Sequence, residues 1–90
     1  MKRFENKRVI VTGAASGIGK AVAQQFLDQG AVVGLLDIDE TELKAFVEAT
    51  EGQSIYRVVD VSKGEELLQA VTALAQELGG VDILHVNAGI

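Results

Sequence analysis

Apolar and polar positions fall along this chain in blocks of two kinds. Four short runs, RVIVT (8–12), AVVGLLD (31–37), SIYRVVD (54–60) and VDILHVN (81–87), are dominated by Val, Ile and Leu and read as buried strands. Between them the apolar residues spread to helical spacing. Ile18, Val22 and Phe26 stand four apart in residues 17–29, and Gly30 is a natural stop for that helix. Asp39 precedes Glu42 by three positions, a capping-box signature, and Leu43, Phe46 and Val47 form the stripe of a short second helix. Ser62 and Glu65 repeat the signature before Leu67, Val71, Leu74 and Leu78, and Gly79-Gly80 ends that third helix.

The order is therefore β-α-β-α-β-α-β. Strands without polar alternation, separated by helices, imply a parallel sheet covered on both faces. Right-handed crossovers carry the first three strands one way and return the fourth beside the first, in the order 3-2-1-4. Such a sheet has a switch point between strands 1 and 4, and ligands bind outside the carboxyl ends of the strands there.

Composition narrows the picture without changing it. Ninety residues suit one small domain, and 48% hydrophobic with only 4% aromatic residues predicts an aliphatic core. A net charge of -5 argues against nucleic acid or a membrane surface as partner. The absence of cysteine excludes disulfides and thiolate metal sites and fits a cytoplasmic protein; no metal site is expected. The start, MKRFENKRVI, is too charged for a secretory signal, and no apolar run approaches the ~20 residues of a membrane span.

The chemistry gathers at one end of the sheet. VTGAASGIGK (11–20) places Gly13, Gly17 and Gly19 where strand 1 gives way to a helix. Gly13 permits the tight turn, and Gly17, lacking a Cβ, leaves room for a pyrophosphate at the positive end of the helix dipole. Gly19 would let the helix pack close to the sheet. Asp37 ends strand 2 at the same rim, where a carboxylate can accept hydrogen bonds from an adenosine ribose. Asp60 ends strand 3 there. Capping of the next helix is the competing role for each acid, but Asp39 and Ser62 are better placed for it.

These residues resemble the short-chain dehydrogenase/reductase family. Its T-G-x-x-x-G-I-G motif reads here as Thr12, Gly13, Gly17, Ile18 and Gly19, and the acid of its NAD-dependent members matches Asp37. Its Asp-Val pair matches Asp60 and Val61, and its N-N-A-G motif matches Asn87, Ala88 and Gly89. Val86 stands where the first asparagine of that motif usually does, so no hydrogen bond from such a side chain is expected. The resemblance implies a Rossmann-type fold and a role in binding NAD(H), in preference to NADP, for an oxidoreductase that interconverts a secondary alcohol and a ketone. It implies that the backbone around Ser16, Gly17 and Ile18 holds the pyrophosphate and that Asp37 binds the ribose hydroxyls. Asp60 and the backbone of Val61 would contact the adenine, and Asn87, Ala88 and Gly89 would line the adenosine side of the cleft.

The family's catalytic serine, its Y-x-x-x-K pair and its helix asparagine lie beyond strand 4 and have no counterpart here. Tyr56 is followed four residues later by Asp60, not lysine. The expectation is thus a cofactor-binding half-domain over residues 1–90, truncated after strand 4 and inactive alone. His85 reads as a satisfied core or rim histidine. The edge formed by Ile83, Leu84 and Val86 predicts self-association or docking to the carboxyl-terminal half. A non-catalytic fragment that folds only by such association is the alternative. A methyltransferase, which also uses a glycine turn and an acid after strand 2, is disfavoured by the glycine spacing and the N-A-G residues.

Overall fold

The computed structural model describes residues 3–15, 17–50 and 53–87. Its elements are β1 (Arg8–Thr12), α1 (Gly17–Asp28), β2 (Val32–Asp37), α2 (Glu40–Ala49), β3 (Ser54–Val58), α3 (Gly64–Leu78) and β4 (Ile83–His85). The four strands form one parallel sheet in the order β3-β2-β1-β4. In the central strand Ile10 stands opposite Gly34 of β2 on one side and Leu84 of β4 on the other.

Side chains alternate across each strand, so a wholly apolar strand must feed two cores. Val9 and Val11 of β1, with Val33 and Leu35 of β2, pack with Ala23 of α1 and with Leu43 and Phe46 of α2. Ile10 and Leu36 face the opposite way and meet Leu74 of α3. Each of the Val, Ile and Leu side chains among them, taken fully out of water, stabilises the fold by about 1.5–3 kcal/mol. Gly34 has a packing purpose on the α3 side: a Cβ there would lie 3.1 Å from Leu74 Cδ1.

The ends of the elements depart from the pattern-based reading in ways with local causes. Ile18 is 72% exposed, so the buried stripe of α1 consists of Val22, Ala23, Phe26 and Leu27. Asp39 does cap α2, accepting the Glu42 N–H at 3.2 Å. The box is not reciprocal, because the Asp39 N–H goes to Asp37 Oδ1 instead. The Ser62–Glu65 box does not form. Lys63 is the N-cap of α3 and makes no side-chain cap bond. Asp60 draws Ser62 away, accepting its N–H at 3.0 Å and its hydroxyl at 2.6 Å in an Asx-type turn. β3 ends at Val58, as the chain turns into that loop, and β4 shrinks to three residues.

Gly79, left-handed at φ 85, closes α3, and the Gly80 N–H bonds the Ala75 carbonyl at 2.8 Å. β4 forms one edge of the sheet, with Leu84 half-exposed and Val86 beyond it exposed. Among the described residues no helix is long and apolar enough to cross a membrane. Nor do the described residues contain a group of three or more His, Cys, Asp or Glu side chains that could hold a metal ion.

Candidate functional site

The turn after β1 is built on backbone that only glycine adopts cheaply. Gly13 has φ +64 and Gly17 φ +59. Ala14 and Ala15 between them are buried and hang from the end of β2: the Ala14 N–H donates to the Leu36 carbonyl at 3.2 Å, and the Ala15 N–H to Asp37 Oδ2 at 3.0 Å. A Cβ at Gly19 would stand 1.9 Å from the Gly13 carbonyl oxygen. The close approach that demands a glycine at 19 is therefore made to the turn itself, a correction to the expected helix-to-sheet contact. Gly17 is the opposite case, since a Cβ there would meet nothing within 4 Å. It faces open space at the amino end of α1, and no acidic residue lies in that helix's first turn. First-turn N–H groups, which an α-helix leaves without intrahelical partners, the positive end of a helix and an unfilled Cβ position fit an anionic phosphate group.

Asp37 is fixed from both sides. Its Oδ1 accepts the N–H groups of Ile38 at 2.6 Å and Asp39 at 3.2 Å, while Oδ2 takes Ala15. Asp60 ends the neighbouring segment at the same rim, where the Ser62 hydroxyl, then its N–H, holds the Asp60 carboxyl below the usual carboxylate range. Turn formation thus engages Asp60 directly, although the sequence favours Ser62 for capping. Val61 is half-buried and packs against the core on the α3 side.

Asn87 closes the other flank. Its N–H donates to the buried Thr12 Oγ1 at 3.0 Å, and its Nδ2 to the Gly13 carbonyl at 3.4 Å. A Cβ at Gly13 would press within 3.2 Å of Asn87. Thr12 is thus a binding partner inside the protein and not merely the first letter of a motif; its burial at the end of an apolar strand is the signal for that role. Gly13, Gly17, Ile18, Gly19, Asp37, Asp60, Val61 and Asn87 all lie at the carboxyl end of the sheet. Ser16, Ala88 and Gly89 lie outside the described residues.

Two residues sit apart from this rim. His85 is half-buried, not a core residue, and lines an open cavity of about 500 Å³ with Phe4, Val22 and Phe26. Tyr56 donates its hydroxyl to Glu40 at 3.2 Å, and its pKa is pushed up by burial first, then by Glu40 and Glu48. That direction is wrong for a catalytic tyrosine acting as a base.

Comparison with known proteins agrees with this geometry. The family model described as short chain dehydrogenase matches residues 7–90. A tropinone reductase-like protein of Erythroxylum coca is 39% identical over 89 residues, which are 99% of this chain and 32% of that protein. An NAD-dependent glycerol dehydrogenase of Listeria innocua is 38% identical over 85 residues, 94% of this chain and 34% of its own length. Among solved structures, the 3-ketoacyl-(acyl-carrier-protein) reductase of Brucella melitensis complexed with NADH superposes with a TM-score of 0.84 at 32% identity, covering 90% of this chain and 33% of that one. The chain spans about a third of the length of the relatives it matches.

Proposed function

The chain belongs to the short-chain dehydrogenase family, and from that premise we propose that its carboxyl-end rim binds NAD(H), in preference to NADP, for an oxidoreductase acting on a secondary alcohol and its ketone. The observation that carries the reading is the pairing of an open Gly17 at the start of α1 with a carboxylate, Asp37, bonded to the same turn. In this reading the first-turn N–H groups of α1, with Ser16, Gly17 and Ile18, hold the pyrophosphate. Gly13 and Gly19 give the turn its shape. One acceptor position of Asp37 Oδ2 is left for a ribose hydroxyl. Asp60 and the backbone of Val61 take the adenine edge, and Asn87, Ala88 and Gly89 line the adenosine side. The bound nicotinamide would supply hydride-transfer chemistry.

Cofactor choice follows from charge. A 2'-phosphate beside Asp37 would meet like charge, and neither Ser16 nor Ile38 supplies a cation to offset it. Residues 1–90 act in this proposal as a cofactor-binding half-domain. Tyr56 is committed to Glu40 and lacks a lysine four residues on, so no acid/base tyrosine is assigned among them. A second reading, association, is favoured by the exposure of Leu84 (48%) and Val86 (65%) at the β4 edge. It proposes that a further strand pairs there, and a monodisperse monomer in light scattering would argue against it. The cofactor reading is tested by calorimetry with NADH and NADPH: tighter NADH binding supports it, and equal affinity contradicts the preference.

A further inference from the structure

We propose that Asp37 is a positioning residue for the glycine turn: through the Ala15 N–H its carboxylate sets the shape of the turn before any ligand arrives. The inference rests on, and deepens, the NAD(H) reading of the same rim. Ala15 is only 5% exposed, and its N–H reaches across 22 positions of sequence to Asp37 Oδ2 at 3.0 Å. Without that oxygen a buried backbone donor would lose its partner. The adjoining Ala14 N–H is tied to the Leu36 carbonyl at 3.2 Å, so two successive amides suspend the turn from the end of β2.

The carboxylate is itself held from behind. Ile38 and Asp39 donate to Oδ1 at 2.6 and 3.2 Å, which fixes its plane by local backbone with no ligand involved. A carboxylate has about two acceptor positions on each oxygen. Both on Oδ1 are in use and one on Oδ2 is taken, so the turn and a ribose hydroxyl would share Oδ2. The turn that Ala15 belongs to is bounded by Gly13, whose carbonyl sits under Gly19, and leads to Gly17, whose Cβ position opens on empty space. A substitution at Asp37 made to relax cofactor choice should therefore weaken every dinucleotide, including one with no ribose hydroxyl to recognise.

Asp37→Ser isolates the effect. A serine hydroxyl can still accept the N–H two residues on, preserving the turn into α2, but it stops short of Ala15. Two readouts are needed: amide hydrogen exchange in the cofactor-free protein, and affinity for an NADH analogue lacking both adenosine ribose hydroxyls. The expected results are exchange at Ala15 faster by about tenfold with Val11 and Leu35 unchanged, and analogue binding weaker by roughly three- to tenfold. An unchanged rate at Ala15, or an unchanged affinity for the analogue, overturns the proposal. If Val11 and Leu35 also lose protection, Asp37→Thr, a better strand former with the same hydroxyl, takes its place under the same criteria. If the wild-type protein binds neither NADH nor the analogue, the NAD(H) reading fails, and exchange at Ala15 alone still decides whether Asp37 holds the turn.

Discussion

The two ends of the sheet are made from the same residue types and use them differently. At the amino end, Arg8 opens β1 and reaches the α3–β4 turn, where its side chain bonds Asp82 Oδ2 at 3.2 Å and the Gly79 carbonyl at 2.6 Å. Its guanidinium also occupies the space beside Gly80, where a Cβ would lie 2.8 Å from Nη1. At the carboxyl end Gly17 faces nothing, and an acceptor position of Asp37 stays available. A glycine and an aspartate at a strand end are thus ambiguous by identity. What separates a structural pair from a ligand site is whether the chain's own atoms already fill the space and the hydrogen bonds.

The substitution with the largest expected effect is Gly19→Val. Its side chain would collide with the Gly13 carbonyl, which is backbone and cannot swing aside. We expect a loss of about 3 kcal/mol in chemical denaturation, since overpacking costs of that order, together with loss of NADH binding. Retention of both would mean that the turn is not the rigid object described here.

Asp37→Ala comes next. A charge-assisted hydrogen bond contributes about 1.5–3 kcal/mol, so NADH affinity in calorimetry should fall roughly ten- to a hundredfold, with a narrower gap to NADPH. Gly17→Ala should sharpen the contrast with Gly19. The left-handed backbone costs about 1 kcal/mol with a Cβ, but no collision follows. Stability should fall by about that 1 kcal/mol, well short of the Gly19→Val loss, while NADH binding weakens by about tenfold as the methyl group enters the cradle.

Much of this was legible in the residues, and the reasons are particular. Val9, Ile10 and Val11 announce a strand buried on both sides because no polar residue interrupts them, and Gly13, Gly17 and Gly19 mark the turn that follows. The purpose of each glycine was less legible. Sequence spacing cannot distinguish Gly17, beside empty space, from Gly19, beneath a carbonyl. The same holds for Gly34, which reads as one more residue of an apolar run yet makes room for Leu74. Ser62 followed by Glu65 had the form of a cap, but Asp60, two residues earlier, competes for the same hydroxyl. Ile18 kept helical spacing with Val22 and Phe26 while lying on the exposed first turn, where period alone does not fix the face.

The smallest effect belongs to the amino end. Asp82 lies below the usual carboxylate range because of Arg8, first through the side-chain hydrogen bond and then through the backbone N–H. A carboxyl whose pKa is lowered by folding contributes fully above its unfolded value of about 4 and loses that contribution as pH falls through the lowered folded value. Asp82→Asn should therefore lower the melting temperature slightly at neutral pH. Its deficit against wild type should vanish on acidification, and NADH affinity should be unaffected. A binding defect in this variant would break the division between the two ends.

The division itself is tested most directly by following backbone amides in an NADH titration by nuclear magnetic resonance. The account predicts that Gly13, Ala15, Gly17, Ile18, Asp37, Asp60 and Asn87 shift together and saturably, while Arg8, Gly79, Gly80 and Asp82 stay in place. Shifts centred on Arg8 and the α3–β4 turn, with the glycine turn unmoved, would contradict it.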